Sequence, residues 1–127
     1  MTGLVTTTAA GDVATAAQKL HAELDRRGIP VFGTVDHGAN ARGAGLELPD
    51  EVVLIFGDPA VGTHLMQADP TVGVELPLRI LIWDDHGTTR VGYRDPRELG
   101  ATYALGEQAA VLETMAGLLE GLAAVTA

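Results

Sequence analysis

Cysteine is absent from this 127-residue chain. That absence removes disulfides, thiolate metal ligands and a cysteine nucleophile together. Lysine occurs once, and eight basic residues stand against seventeen acidic ones, a net charge of −9. Counterion release on a phosphate backbone needs clustered Lys and Arg, so no nucleic-acid partner is expected. The same argument disfavours an anionic membrane surface. One Trp, two Tyr and two Phe leave the core to Ala, Val, Leu and Ile. No apolar run approaches the ~20 residues of a transmembrane helix. The opening MTGLVTTTAAGDVATAA lacks the basic flank and apolar centre of a signal peptide. The expectation is one soluble, cytoplasmic domain over residues 1–127, with 46% apolar residues to fill its core.

The elements follow in a readable order. Gly3–Thr8, rich in β-branched residues, predicts a first strand. Asp12 is an N-cap, and Val13, Ala16, Ala17, Leu20 and Leu24 recur at helical spacing behind it. That helix ends at Gly28, with Arg26 and Arg27 in its last turn and Pro30 beyond. Val31–Val35 predicts strand two. Asp36–Asp50 is long for a hairpin loop, and Ala39–Ala44 can form a turn or two of helix.

Strand three is Glu51–Phe56. A short helix over Val61–Ala68 is entered through Gly62-Thr63. Strand four, Leu78–Trp83, and strand five, Thr88–Tyr93, form a hairpin about Asp84-Asp85-His86-Gly87. Asp95-Pro96-Arg97-Glu98 starts a compact helix, and Gly106 interrupts the pattern. Val111, Met115, Leu118, Leu119 and Leu122 then mark a last helix whose final residues fray. The fold class is α+β: β-α-β-β-(short α)-β-β-α, a single, mostly antiparallel five-stranded sheet. Helices Val13–Arg27 and Gln108–Leu122 are expected on one face of it.

Three blocks carry a family resemblance across nearly the whole chain: VFGTVDHGANA, LELPDEVVLIFGDPAVGTHLMQADP and VELPLRILIWDDHGTTRVGYRDP. In order and spacing they resemble the domain of unknown function 302 family. The resemblance implies a β-α-β₄-α layout and a homodimer, and it brings no assigned catalytic residues. At Asp58-Pro59-Ala60 the chain departs from the family's usual Asn-Pro-Lys, so an anion held by that lysine has no counterpart here.

Gly57-x-x-x-x-Gly62-Thr63 after an apolar strand has the outline of a P-loop. The signature lysine after the second glycine is replaced by Thr63, and Pro59 removes one N–H from the cradle. No ATP or GTP binding is expected. The N–H groups of Gly62–His64 remain as a weaker anion site. Asp36-His37 at the end of strand two offers a carboxylate beside an imidazole, the pairing a general base or metal ligand needs. His37, His64, Asp36 and Asp58 suit zinc or iron in kind, but none of them share the i, i+4 spacing of a helical metal motif. No metal site is therefore assigned, and no cofactor is identified.

The leading expectation is a non-enzymatic domain, a homodimer, that binds a small molecule or anion or another protein. The alternative is a metal-assisted hydrolase using His37 with Asp36 or Asp58. The candidate ligand-binding residues are Asp36, His37, Asn40, Phe56, Gly57, Asp58, Pro59, Gly62, Thr63, Met66, Leu76 and Pro77. Phe56, Met66 and Leu76 would be apolar walls, with Thr63 and the Gly62 and Thr63 N–H groups as polar points. The 13 residues of Gly38–Asp50 allow a crossover that makes strands two and three parallel. That arrangement would bring Asp36-His37 to the Asp58–His64 loop.

Overall fold

The computed structural model describes residues 3–127. Asp12 caps helix α1 (Val13–Arg26) with its carboxylate, which accepts the Thr15 N–H at 2.8 Å. Val13, Ala16, Leu20 and Leu24 are the buried stripe of that helix. Gly28 ends it in a left-handed conformation, φ +68°. Strands β1 (Leu4–Thr8), β2 (Val31–Asp36), β3 (Glu51–Phe56), β4 (Leu78–Asp85) and β5 (Thr88–Arg94) build one sheet in the order β1-β5-β4-β3-β2. Every neighbouring pair is antiparallel. β4 and β5 are joined by a two-residue turn, His86 and Gly87, with φ of +52° and +92°. Such a turn matches the twist of the flanking strands.

The alternation along β3 fixes the two sheet faces. Val52, Leu54 and Phe56 are buried, while Val53 and Ile55 are half-buried. Helix α5 (Ala109–Val125) lies with α1 on the first face, as expected. Leu20, Leu24, Leu119 and Leu122 pack there against Leu54, Phe56, Ile80 and Ile82. The stripe of α5 is rotated from the expected one: Leu112 and Ala116 are buried, and Val111 and Leu118 lie at its margin. Among the described residues neither α1 nor α5 reaches the opposite face, which carries Val35, Val53, Ile55, Leu81 and Trp83 and is bordered by Leu99 and Thr102. Arg79 and Arg94 stand at one end of that face, and Glu51 and Asp85 at the other.

Two features differ from expectation. β2 and β3 are antiparallel, Val31 opposite Phe56 and Asp36 opposite Val52, so there is no crossover. The length that suggested one is taken up by helix α2 (His37–Gly43), whose N-cap is Asp36. The compact helix start at Asp95 is a 3₁₀ turn, Pro96–Glu98, capped by Asp95 and followed by one further turn, α4 (Leu99–Thr102). The C-terminus does not fray. Thr126 is fully buried, donates its hydroxyl to Ala123 O at 2.7 Å, and accepts the Ala10 N–H at 2.8 Å.

Candidate ligand pocket

Helix α3 spans Pro59–Ala68, two residues longer at its start than the sequence suggested. Asp58 is its N-cap and Pro59 its first residue, an arrangement that fits a fixed proline φ and needs no proline N–H. A 3₁₀ segment, Pro70–Glu75, follows and returns the chain to β4 through a cis Leu76–Pro77 peptide. Together α3 and this segment form a lid with its own small core. Leu65 and Val72, both fully buried, pack with Leu105, Leu112 and Met115. Asp69 pins the lid, accepting the Thr71 N–H and, across the fold, the Ala104 N–H at 3.0 Å. These bonds, the Thr71 side chain's first, hold its carboxyl below the usual range. The Tyr103 hydroxyl donates to Glu75 at 3.1 Å beside it.

Under the lid's edge is a pocket of about 280 Å³. The turn from β3 into α3 supplies Gly57, Asp58, Pro59, Gly62 and Thr63, and Met66 follows one turn later. Leu76 and Pro77 form the facing wall. A Cβ on Gly62 would stand 3.5 Å from Leu76 Cδ1 and 4.0 Å from Met66 Cε, in contact with both walls, so a longer side chain there would enter the mouth. Eight of the twelve expected residues therefore share one cavity.

The other four do not. Phe56 is fully buried in the main core beneath the pocket and is not a wall. Asp36, His37 and Asn40 lie at the far end of β2: Asp36 is opposite Val52, whereas Val31 is opposite Phe56 at the pocket end. At 3.2–3.4 Å per residue, those ends are roughly 16 Å apart. The composite site of His37 with Asp58–His64 is thus corrected by the antiparallel β2–β3 pairing. The Asp36 carboxylate accepts the Ala39 N–H at 2.8 Å and caps α2. Among the described residues no three His, Asp or Glu side chains converge on a metal-sized site. His37 is therefore not brought to Asp58, and nothing among the described residues supports the hydrolase alternative.

The polar points also differ. The Gly62 N–H is taken by Asp58 O at 3.1 Å, and Thr63 lies inside the helix. The amides expected to hold an anion are engaged, and a carboxylate occupies the start of α3.

Several lining residues escape the sequence reading. Phe32 reaches the pocket because β2 has a register shift between Val31 and Gly33. It is 56% exposed, unusual for a phenylalanine. Thr114, Met115 and Leu118 arrive from α5, far along the chain. Only the apolar stripe of α5 hinted at their packing, and nothing local named the partner.

Two other concavities are present among the described residues. A cleft of about 320 Å³ between β1 and α5 includes Asp95, Arg97 and Glu120, with Arg97 bonded to Asp95 and Glu113. A groove of about 580 Å³ on the open sheet face is lined by both charge signs, including Arg79, Arg94, Glu75 and Glu98. Neither combines a backbone turn, a lid and apolar walls as the Gly57–Met66 pocket does.

Known proteins place this architecture. A crystal structure of an uncharacterized conserved DUF302 protein from Bacillus stearothermophilus matches the whole of both chains, with a TM-score of 0.86 and 17% identity. A protein of Brucella suis named fluoride-specific ion channel FluC 1 is 42% identical over 105 residues, 82% of this chain and 41% of that one. Bovine 2-hydroxyacyl-CoA lyase 2 is 40% identical over 77 residues, 59% of this chain and 12% of that one. This chain thus spans about two-fifths of the Brucella protein's length. No described helix is long and apolar enough to cross a membrane. The family model for the domain of unknown function DUF302 matches residues 5–122, and the chain belongs to that family.

Proposed function

We propose that this chain is a non-enzymatic, small-ligand-binding module that works as a homodimer. The carrying observation is the 280 Å³ pocket at Gly57–Met66, roofed by a lid with a core of its own. Its size is just under the range of ~300–1,000 Å³ typical of small-molecule sites and suits a compact ligand. Apolar walls with few polar points are the usual make-up of such a site. That related segments occur in proteins named as a fluoride channel and as an acyl-CoA lyase supports a module that accompanies different activities.

The homodimer reading is supported by the sheet face opposite α1 and α5. Val53, Leu81 and Trp83 form an apolar centre, with Arg79 and Arg94 at one end and Glu51 and Asp85 at the other, where Asp85 is paired with Arg90 at 3.2 Å. Among the described residues Arg79 and Arg94 have no ion pair. Two copies stacked about a twofold axis would cover the apolar centre and set Arg79 and Arg94 of each over Glu51 and Asp85 of the other.

The test of the ligand reading is native mass spectrometry of the purified protein beside Gly62→Leu, whose side chain fills the mouth of the pocket. A small molecule retained by the wild type and missing from the variant is expected. Identical profiles for the two proteins would contradict the pocket's role.

A further inference from the structure

The donors and acceptors around the pocket are unequally available. The Gly57 N–H donates to Pro30 O at 3.2 Å, and the Ala60 N–H to Asp58 Oδ1 at 2.9 Å. Val61 and Gly62 both donate to Asp58 O, and Leu76 donates to Gly73 O. Pro59 and Pro77 have no N–H. The two hydroxyls on the wall are turned the same way. Thr63 Oγ1 donates to Pro59 O at 2.6 Å, and Thr114 Oγ1 to Ala110 O at 3.0 Å. A hydroxyl that has given its one hydrogen to a helix carbonyl presents only lone pairs outward. No Lys, Arg or His lines the pocket. Apart from the Asp58 N–H, for which no acceptor is found among the described residues, what these groups offer a ligand is acceptors: two threonine oxygens and the second oxygen of the Asp58 carboxylate.

We infer that the pocket takes a compact apolar molecule ending in a hydrogen-bond donor, an ammonium or a hydroxyl, and discriminates against carboxylates and phosphates. The inference rests on reading this pocket as the ligand site. An anionic head would meet the Asp58 carboxylate and two acceptor oxygens with no cation to pair its charge, and the one Asp58 N–H lies beside that carboxylate. An ammonium or hydroxyl head satisfies the acceptors while its chain lies against Leu76, Leu118 and the two methionines. Methionine's flexible thioether adapts to such chains. The anion site expected from the glycine turn is thereby inverted.

Isothermal titration with n-hexylamine, n-hexanol and sodium hexanoate at neutral pH separates the cases. Hexylamine is expected to bind best and hexanol next, with hexanoate weaker than hexanol by about tenfold or more. Asp58→Asn, which keeps a capping side chain, should remove the advantage of the amine over the alcohol. Gly62→Leu should abolish binding of both. Hexanoate binding as tightly as hexylamine, or a ranking unmoved by Asp58→Asn, overturns the inference and leaves the pocket reading standing. Amine binding that survives in Gly62→Leu reports only the negative charge of the chain and also overturns it. No binding of any of the three overturns both the inference and the pocket reading.

Discussion

Replacing Leu65 with alanine tests whether the lid is built into the fold or merely rests on it. Leu65 is fully buried among Val72, Leu105, Leu112 and Met115, a cluster that joins α3, the following 3₁₀ segment and α5. Its removal loses a Leu-to-Ala transfer term and leaves a void that this small cluster cannot close. The expected cost is about 3 kcal/mol, within the usual range of about 2–5 for such truncations. With an unfolding entropy of ~2.1 cal/mol/K per residue over a chain of this length, that lowers Tm by roughly 11 °C. Thermal unfolding followed by circular dichroism, with urea titration for the slope m, is the assay. The account expects a single transition, shifted as stated, with m unchanged. A shift below ~3 °C would refute it, because the lid would then open without unfolding the sheet.

The remaining expectations are independent of the lid. Gly117 sits exposed within α5 with nothing inside 4 Å of an added Cβ, so Gly117→Ala should stabilise by about 1 kcal/mol in urea titration. Leu81→Arg, at the centre of the open sheet face, should turn a dimer into a monomer in light scattering while the circular dichroism spectrum stays native. Side-chain hydrogen bonds from Arg26 and then Arg27 depress the Glu23 carboxyl from 4.5 to about 2. A folded value below the unfolded one gives stability that is complete above the unfolded value and is lost as pH falls through the folded one. Tm should therefore hold steady at neutral pH and fall between 4.5 and about 2, less steeply in Glu23→Gln.

Much of this fold is legible locally. Asp12 and Gly28 mark the two ends of α1 because a cap and a left-handed glycine are local requirements. Strand β3 is read residue for residue, since Val52, Leu54 and Phe56 alternate with half-buried neighbours. The site is legible in part. Gly57, Pro59, Leu76 and Pro77 announce a bent backbone, and a cavity forms where it bends. The start of α3 is also written there, in Asp58 followed by Pro59, although the nearby glycines suggest a loop.

What is not legible is long-range. A 13-residue connection allows either strand direction, and no local residue marks the antiparallel pairing that β2 and β3 adopt. The β2 register shift that turns out Phe32 has no local mark beyond Gly33. The burial of Thr126 depends on an amide 116 residues earlier, at Ala10. A frayed end and a pinned one therefore look alike in sequence.

Whether a small molecule binds beneath the lid of α3 is read most directly from a two-dimensional amide NMR titration with n-hexylamine. Saturable shifts concentrated at Gly57, Gly62, Thr63, Leu76 and Thr114 are expected, with Asp36–Asn40 unmoved. Shifts centred instead on Asp36–Asn40, or spread over the open face around Leu81 and Trp83, would contradict binding beneath the lid.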